Sequence, residues 1–189
     1  MANQDDFSPQ SDCSGFGDTN FSLAVYIANK PNLHEYQQLE SITPLVKGEI
    51  NMINQTCGNG WRKVFNVYAK VIYALDKELF SFSEKAATWQ LYRDNCLLQK
   101  GSETALVFNE PGSLNLRNDN QSIHIICGRT YAKSLVRRNN LLVNLTWLDE
   151  EFAIDKENRL VVCPYFDYRQ LSNVKIERLS KLVTKIINW

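Results

Sequence analysis

The sequence predicts a single α/β domain in which a mostly parallel four-stranded sheet is flanked by helices. Three observations predict it. Four short apolar segments are bounded by turn residues, which is typical of strands buried on both faces. Segments with helical periodicity separate the first strand from the second and follow the last. A strand, Gly128 and a helix follow one another directly, which is half of a βαβ unit.

Length and composition favour one domain. The chain has 189 residues, of which 44% are hydrophobic, enough for one substantial core. Residues 1–20 hold only isolated apolar side chains among Gln, Asn, Asp, Ser and Gly, so we predict a disordered N-terminal arm there. The α/β domain is then expected at residues 21–189.

The charge balance and the cysteines limit the classes of function that the sequence supports. The 21 basic and 21 acidic residues balance, so no long-range attraction to nucleic acid or membranes is expected. The five cysteines form no C-x-x-C pair, which fits reduced thiols. No leader and no membrane-spanning run is recognised, so a cytoplasmic protein is expected. Two isolated histidines, His34 and His124, predict no metal centre, and no cofactor motif occurs.

The first strand and three helices are predicted in the N-terminal half. The strand is the apolar run at 21–28, which ends at the turn residues Asn29 to Pro31. A short helix closes at Gly58, and a long one carries an apolar stripe from Trp61 to Leu75, with Asn59 as its cap. A further helix is predicted at 83–97, capped by Ser81 or Ser83.

The remaining strands are predicted at 104–108, 123–127 and 160–163, and two more helices at 129–138 and 173–188, the latter capped by Ser172. Residues 110–121 are few for a crossover helix, so a hairpin between the second and third strands is an alternative to parallel strands. Residues 141–148 fit either a strand or an extended connector.

Parallel strands bring the residues after their carboxyl ends to one edge of the sheet, where ligands bind in such folds. We therefore expect a crevice at this edge. The residues expected there follow the four strands in turn: Asn29, Lys30 and Pro31; Asn109 and Glu110; Gly128, Arg129 and Thr130; and Tyr165, Asp167, Tyr168 and Arg169.

Four short motifs, in order, resemble the uracil-DNA glycosylase superfamily. They are IANKP at 27–31, ALVFN at 105–109, IHIICGRTYAKS at 123–134 and CPYFDYRQLS at 163–172. The resemblance implies a uracil-DNA glycosylase-like fold over residues 21–188. The chain is also similar to uncharacterised conserved proteins of bacteria.

The resemblance implies roles for individual residues. Asn29 stands near the position that orders water, Phe108 stacks on a base, and Asn109 hydrogen-bonds a base edge. Cys163 replaces the electrophilic histidine of the family, and Arg169 is the candidate that would stabilise a leaving base electrostatically. Asn29 and Arg169 are thus the candidate catalytic residues.

The hypothesis is that the crevice binds, and in one version hydrolyses, a nucleobase-containing ligand, either a nucleotide or a DNA base. Phe108, Asn109, Arg129, Tyr165, Asp167 and Tyr168 are the candidate binding residues. The alternative is a non-enzymatic module in which exposed Tyr165, Phe166 and Tyr168 anchor a protein partner. Asp167 and Arg169 fit an internal loop ion pair as well as a ligand contact, and Cys127 and Cys163 fit buried apolar positions.

Overall fold

The fold is an eight-stranded sheet with helices on both faces, seen in a computed structural model that describes residues 13–108, 121–141 and 143–188. The sheet order is β3-β1-β4-β2-β5-β8-β7-β6. The strands are β1 (Gly15–Gly17), β2 (Leu23–Tyr26), β3 (Ile42–Thr43), β4 (Thr104–Val107), β5 (Ile123–Cys127), β6 (Thr146–Trp147), β7 (Ala153–Asp155) and β8 (Leu160–Cys163). The helices are α1 (His34–Gln37), α2 (Glu49–Thr56), α3 (Asn59–Ala74), α4 (Trp89–Asn95), α5 (Arg129–Arg137) and α6 (Asn173–Ile187), with a 3₁₀ turn at Phe82–Lys85.

The four predicted strands are β2, β4, β5 and β8, and they form the centre of the sheet. β2 lies between β4 and β5 and is parallel to both, and β8 is parallel to β5. β4 and β5 therefore do not form a hairpin, and that alternative is wrong. The predicted number of strands is also wrong, because four short strands extend the sheet at its two edges.

β1 lies inside residues 1–20, the segment predicted as a disordered arm, so that prediction does not hold for Gly15–Gly17. It pairs antiparallel with β4, and its residues are buried. A Cβ on Gly15 would lie 2.3 Å from Leu106 O, and one on Gly17 would lie 2.1 Å from Thr104 O. Only glycine permits this close approach, and glycine is also why the segment resembles a flexible linker in sequence. Residues 1–12 lie outside the described residues.

Residues 141–148, open in sequence between a strand and a connector, contain β6. This strand pairs antiparallel with β7, which in turn pairs antiparallel with β8. The ladder between β6 and β7 does not extend to Asn144. The backbone N–H of Asn144 donates instead to Oδ2 of Asp155, at 2.8 Å. The acidic stretch after β6 thus turns back at once and forms a hairpin.

Side chains alternate along each central strand and build two hydrophobic layers, as expected for strands buried on both faces. One layer holds Leu23, Val25 and Ile125 and packs under α3, α4 and α6. The other holds Ala24, Tyr26, Ile126 and Val162 and packs under α5 through Ala132 and Leu135. The predicted flanking helices therefore lie on opposite faces.

The long helix α3 and the C-terminal helix α6 agree with the apolar stripes that predicted them, whereas the helix predicted at 83–97 is only partly present. That region is a 3₁₀ turn followed by α4, whose first turn is capped by Thr88, with Oγ1 accepting from the N–H of Leu91 at 3.2 Å. At α3 the cap is Gly58 rather than Asn59. Ser172 is the N-cap of α6 by position, but its side chain makes no capping hydrogen bond.

Candidate functional site

The chain segments that follow the four central strands meet around a cavity of about 980 Å³. Asn29 follows β2, Phe108 follows β4, Gly128 and Arg129 follow β5, and Tyr165 follows β8; all of them line this cavity. We call it the carboxyl-edge cavity. Its position is that of the expected crevice, because the parallel strands end together at this edge. Asn109 and Glu110, also expected at this edge, lie outside the described residues.

A second cavity of about 600 Å³ adjoins the first and is called the side cavity. The two share Ala28, Asn29, Phe108 and Tyr165 as lining residues. Lys30 and Trp61 line only the side cavity. Tyr165 and Phe108 therefore lie between two adjoining spaces, both open to a ligand at this edge.

Tyr165 is the central side chain of the carboxyl-edge cavity. It is half-buried, and Nδ2 of Asn29 lies 3.4 Å from its hydroxyl oxygen as a donor. Burial raises the pKa of Tyr165 above its usual value, so the phenol is protonated at neutral pH and can donate as well as accept. Phe108, by contrast, is only 7% exposed and packs edge-on against Phe16 and Trp61.

The first turn of α5 faces the cavity. Gly128 has φ 110°, a conformation that suits glycine, and its N–H donates to Cys163 O at 2.9 Å. The first N–H to bond within the helix is that of Ala132, which donates to Gly128 O at 3.0 Å. The backbone N–H groups of Arg129, Thr130 and Tyr131 precede it and have no intrahelical acceptor, and all three residues line the cavity.

Two arginines at the cavity are anchored on α5 or beside it. Nη1 of Arg129 donates to Glu150 O at 3.2 Å and lies 3.8 Å from the carboxylate of the same residue. Nη2 of Arg138 donates to Oγ of Ser134 at 3.0 Å. Thr130, Ser134 and Arg138 are spaced four apart along the chain, so they lie on one side of the helix, towards the cavity.

In the loop after β8, the carboxylate of Asp167 forms ion pairs within the protein. Asp167 accepts from Nζ of Lys63 on α3 at 2.9 Å and from Nη2 of Arg169 at 3.0 Å. Hydrogen bonds from Arg169, ahead of those from Lys63, hold the pKa of Asp167 well below its usual range. Neither Asp167 nor Arg169 lines the carboxyl-edge cavity or the side cavity. The internal ion pair considered for these two residues is therefore present, whereas their predicted ligand contacts remain predictions.

The aromatic cluster predicted to anchor a protein partner is divided. Phe166 is 0% exposed and its ring centroid lies 5.7 Å from that of Tyr68 in the core, so its predicted exposure is wrong. Tyr168 is 59% exposed, and Nζ of Lys63 lies 5.2 Å from its ring centroid. Only Tyr168 among the three offers an open aromatic surface, because Tyr165 belongs to the cavity.

The two cysteines at the strand ends are neighbours in the sheet. Cys127 and Cys163 are in register on β5 and β8 and both are buried. Burial raises the pKa of both thiols, and the N–H of Phe166 donates to Sγ of Cys127 at 3.1 Å. Both thiols are thus protonated at neutral pH and act as small buried groups, as the sequence indicates.

The histidines lie away from both cavities. His124 is buried in β5, where Nδ1 is 2.9 Å from the hydroxyl of Tyr26, as the interpretation of a sheet-face histidine expects. His34 is exposed at the start of α1. Across residues 13–108, 121–141 and 143–188, no three His, Cys, Asp or Glu side chains are grouped so that they could hold a metal ion. Over the same residues, no helix is both long and apolar enough to cross a membrane.

Some residues that line the carboxyl-edge cavity were not predicted from the sequence. Ser134 and Glu151 were not selected, although both line the cavity. Ser134 had a usable signal, since it follows Thr130 by four residues and lies opposite the apolar stripe of Ala132 and Leu135. Glu151 had none, because the hairpin of β6 and β7 brings it to the cavity from another part of the sheet.

Comparison with known proteins identifies the family of this chain but no activity or ligand. Neither the curated proteins nor the solved structures contain a match, and the comparisons give no support for the resemblance to the uracil-DNA glycosylase superfamily. One family model does match, over residues 14–184, which is most of the chain and includes all eight strands. The chain therefore belongs to the family of unknown function DUF6942.

Proposed function

We propose that the carboxyl-edge cavity binds a small nucleobase-containing ligand, with a nucleotide as the best-fitting form. The observation that carries the proposal is the convergence of the segments after β2, β4, β5 and β8 around one space of about 980 Å³. Binding at the carboxyl ends of parallel strands is general for open α/β sheets, and the volume is ample for a ligand of nucleotide size.

The first turn of α5 is the proposed phosphate site. Three backbone N–H groups there have no intrahelical acceptor, and the helix dipole adds partial positive charge at the same end. Anions bind at such termini. Arg129 adds a guanidinium group at this turn, which favours phosphate through paired hydrogen bonds. Arg138 lines the same cavity from the opposite end of α5.

Tyr165 and Asn29 are the proposed base site. A half-buried phenol ring offers a face on which any base can stack. The amide of Asn29 is exposed beside it and carries both a donor and an acceptor for a base edge. Phe108 contributes little in this proposal, because its ring packs within the core.

The proposal is binding without hydrolysis. The resemblance to the glycosylase superfamily implies hydrolysis assisted by Arg169. Both the glycosylase-like fold and this role of Arg169 remain predictions from the sequence. Arg169 points its guanidinium at Asp167 instead, 3.0 Å away. A binding site of this kind requires only stacking, amide hydrogen bonds and phosphate contacts, all of which residues of the carboxyl-edge cavity provide.

Isothermal titration calorimetry with the 5′-monophosphates of the five common nucleosides tests the proposal. Arg129→Ala removes a cavity cation and should weaken binding about tenfold, the loss of one charge-assisted phosphate contact. Arg169→Ala is the matched control, because it removes an arginine that lines neither cavity. Its affinity should stay within about twofold of the wild-type value. Equal losses in both variants, or no heat with any nucleotide, would contradict the proposal.

A second titration separates the base from the phosphate. Tyr165→Ala should weaken nucleotide binding by about tenfold, since stacking on an aromatic ring contributes roughly 1–3 kcal/mol per base. The same variant should bind inorganic phosphate as the wild type does. A nucleotide affinity that Tyr165→Ala leaves unchanged would show that the cavity recognises phosphate alone.

A further inference from the structure

The outer edge of β6 is an open strand edge. In the described part of the chain the sheet ends at β6, which pairs only with β7. The N–H of Leu148 donates to Phe152 O at 2.9 Å, and Thr146 is in register with Ile154. Because residues in an antiparallel ladder bond alternately to either side, the peptide groups of Leu145 and Trp147 point outward. Among the described residues these groups have no strand partner on the outer side, and such an edge can pair with a further strand.

A groove runs beside this edge on the α5 face of the sheet. It has a volume of about 510 Å³. Val143, Leu145 and Trp147 line it from the strand side, and Lys133, Val136 and Arg137 line it from α5. The three strand residues alternate, so their side chains share one face. The groove therefore combines an apolar wall, a helix and unpaired backbone groups.

The charge of the groove has one sign. Lys133 and Arg137 are exposed and form no ion pair with any described residue, and no carboxylate is among the lining residues. Nζ of Lys133 lies 4.8 Å from the ring centroid of Trp147, so the cation lies directly over the apolar wall. A partner for this surface must supply negative charge next to apolar side chains.

We propose that the groove binds an extended acidic segment of another protein, which adds to β6 as a ninth strand. Lys133 and Arg137 are one helical turn apart, about 6 Å along the axis. Alternate residues of a strand are separated by about 6.6 Å. Two acidic side chains at alternate positions of the added strand therefore match the two cations, while flanking apolar side chains meet Trp147 and Val136.

A second copy of this chain is the less suitable occupant. Pairing β6 with β6 around a two-fold axis would place both α5 helices on the same face of one continuous sheet. Lys133 and Arg137 of the two copies would then face each other across the groove. Like charges in that position oppose association, whereas an acidic strand is attracted by the two cations of a single groove.

Fluorescence anisotropy with a labelled, end-blocked heptapeptide tests the proposal. Its odd positions are valine, glutamate, glutamate and valine, and its even positions are threonine, so one face presents the proposed pattern. A matched peptide has lysine in place of both glutamates. The acidic peptide should bind at least about tenfold more tightly than the lysine peptide. A third peptide, N-methylated at alternate residues, should not bind, because it cannot complete the backbone ladder.

The double variant Lys133→Glu with Arg137→Glu provides the decisive control. Both residues are exposed on α5, so the fold should persist, and circular dichroism checks this. The preference should reverse, with the lysine peptide now the tighter ligand, a result that unfolding could not produce. Equal binding of all peptides, or binding that survives N-methylation, would overturn the proposal. A dimer in light scattering that the double variant dissociates would also overturn it, in favour of a second copy.

Discussion

The segments that follow the neighbouring strands β5 and β8 use their polar groups in opposite ways. After β5, the start of α5 brings Arg129, Thr130 and backbone N–H groups that have no intrahelical acceptor to the carboxyl-edge cavity. After β8, the loop turns Asp167 inward, where Lys63 and Arg169 neutralise it, and it buries Phe166. In sequence, both segments are a strand end followed by polar and aromatic residues.

The difference between the two segments lies in the partners of their polar groups. Lys63 lies 104 residues before Asp167 and reaches it from α3. A carboxylate with such a distant partner is held in the loop by its ion pairs. In the first turn of α5, helix geometry itself leaves the backbone donors without an intrahelical acceptor. Three substitutions test this contrast.

Phe166→Ala should have the largest effect. Removing a fully buried aromatic ring that contacts Tyr68 should lower the free energy of unfolding by about 3–5 kcal/mol. Urea denaturation followed by circular dichroism measures it. Tyr168→Ala, two residues on and 59% exposed, is the control and should cost less than about 0.5 kcal/mol. Similar losses in both variants would mean that the loop is not anchored through Phe166.

Gly128→Ala should have an intermediate effect on the α5 side. The added Cβ would meet Tyr165 Cδ2 only at 3.8 Å, so space is sufficient, but φ 110° strains any residue with a Cβ. We expect a loss of about 1–3 kcal/mol. Gly60→Ala is the matched control, since a Cβ there meets nothing within 4 Å and the position is helical. It should be neutral or stabilise by up to about 1 kcal/mol. Chemical denaturation of both variants compares them, and a harmless Gly128→Ala would contradict the strain argument.

Asp167→Asn should have the smallest effect at neutral pH and a distinct pH dependence. The side chain is 11% exposed, and its loss of charge should cost about 1–2 kcal/mol. Because the folded pKa lies below the unfolded value near 3.9, the stabilisation is complete above about pH 5 and declines as pH falls through the folded pKa.

Denaturation at a series of pH values checks the prediction for Asp167. The difference between the wild type and Asp167→Asn should be constant from about pH 5 to 8 and should shrink below about pH 4. A difference that stays the same at low pH would indicate that packing, rather than the charge of Asp167, holds the loop.

The central strands were predictable because their signal is local. The segments that became β2, β4, β5 and β8 are continuous apolar runs between turn residues, as a strand buried on both faces requires. The edge strands β1, β3, β6 and β7 have two or three residues each, and their sequences carry no such run. β1 in particular reads Gly-Phe-Gly, and its pairing depends on the approach of β4, where Ala105, the partner of Gly17, lies 88 residues further along the chain.

The candidate site was predictable to the same extent. Asn29, Arg129 and Tyr165 were expected at one rim, and all three line one cavity, because parallel strands bring their carboxyl ends together. Asp167 and Arg169 were expected there too, but they pair with each other and with Lys63. Sequence proximity could not reveal the partner on α3.

The sequence by itself determined the burial and the ends of the four central strands, since their burial follows from a local hydrophobic pattern. Only the tertiary structure decided which polar groups at those ends remain available to a ligand. The physical reason is that hydrogen bonds and ion pairs are made with whatever group the fold brings within about 3 Å, and for Asp167 that group is Lys63, a residue that no local pattern connects to it.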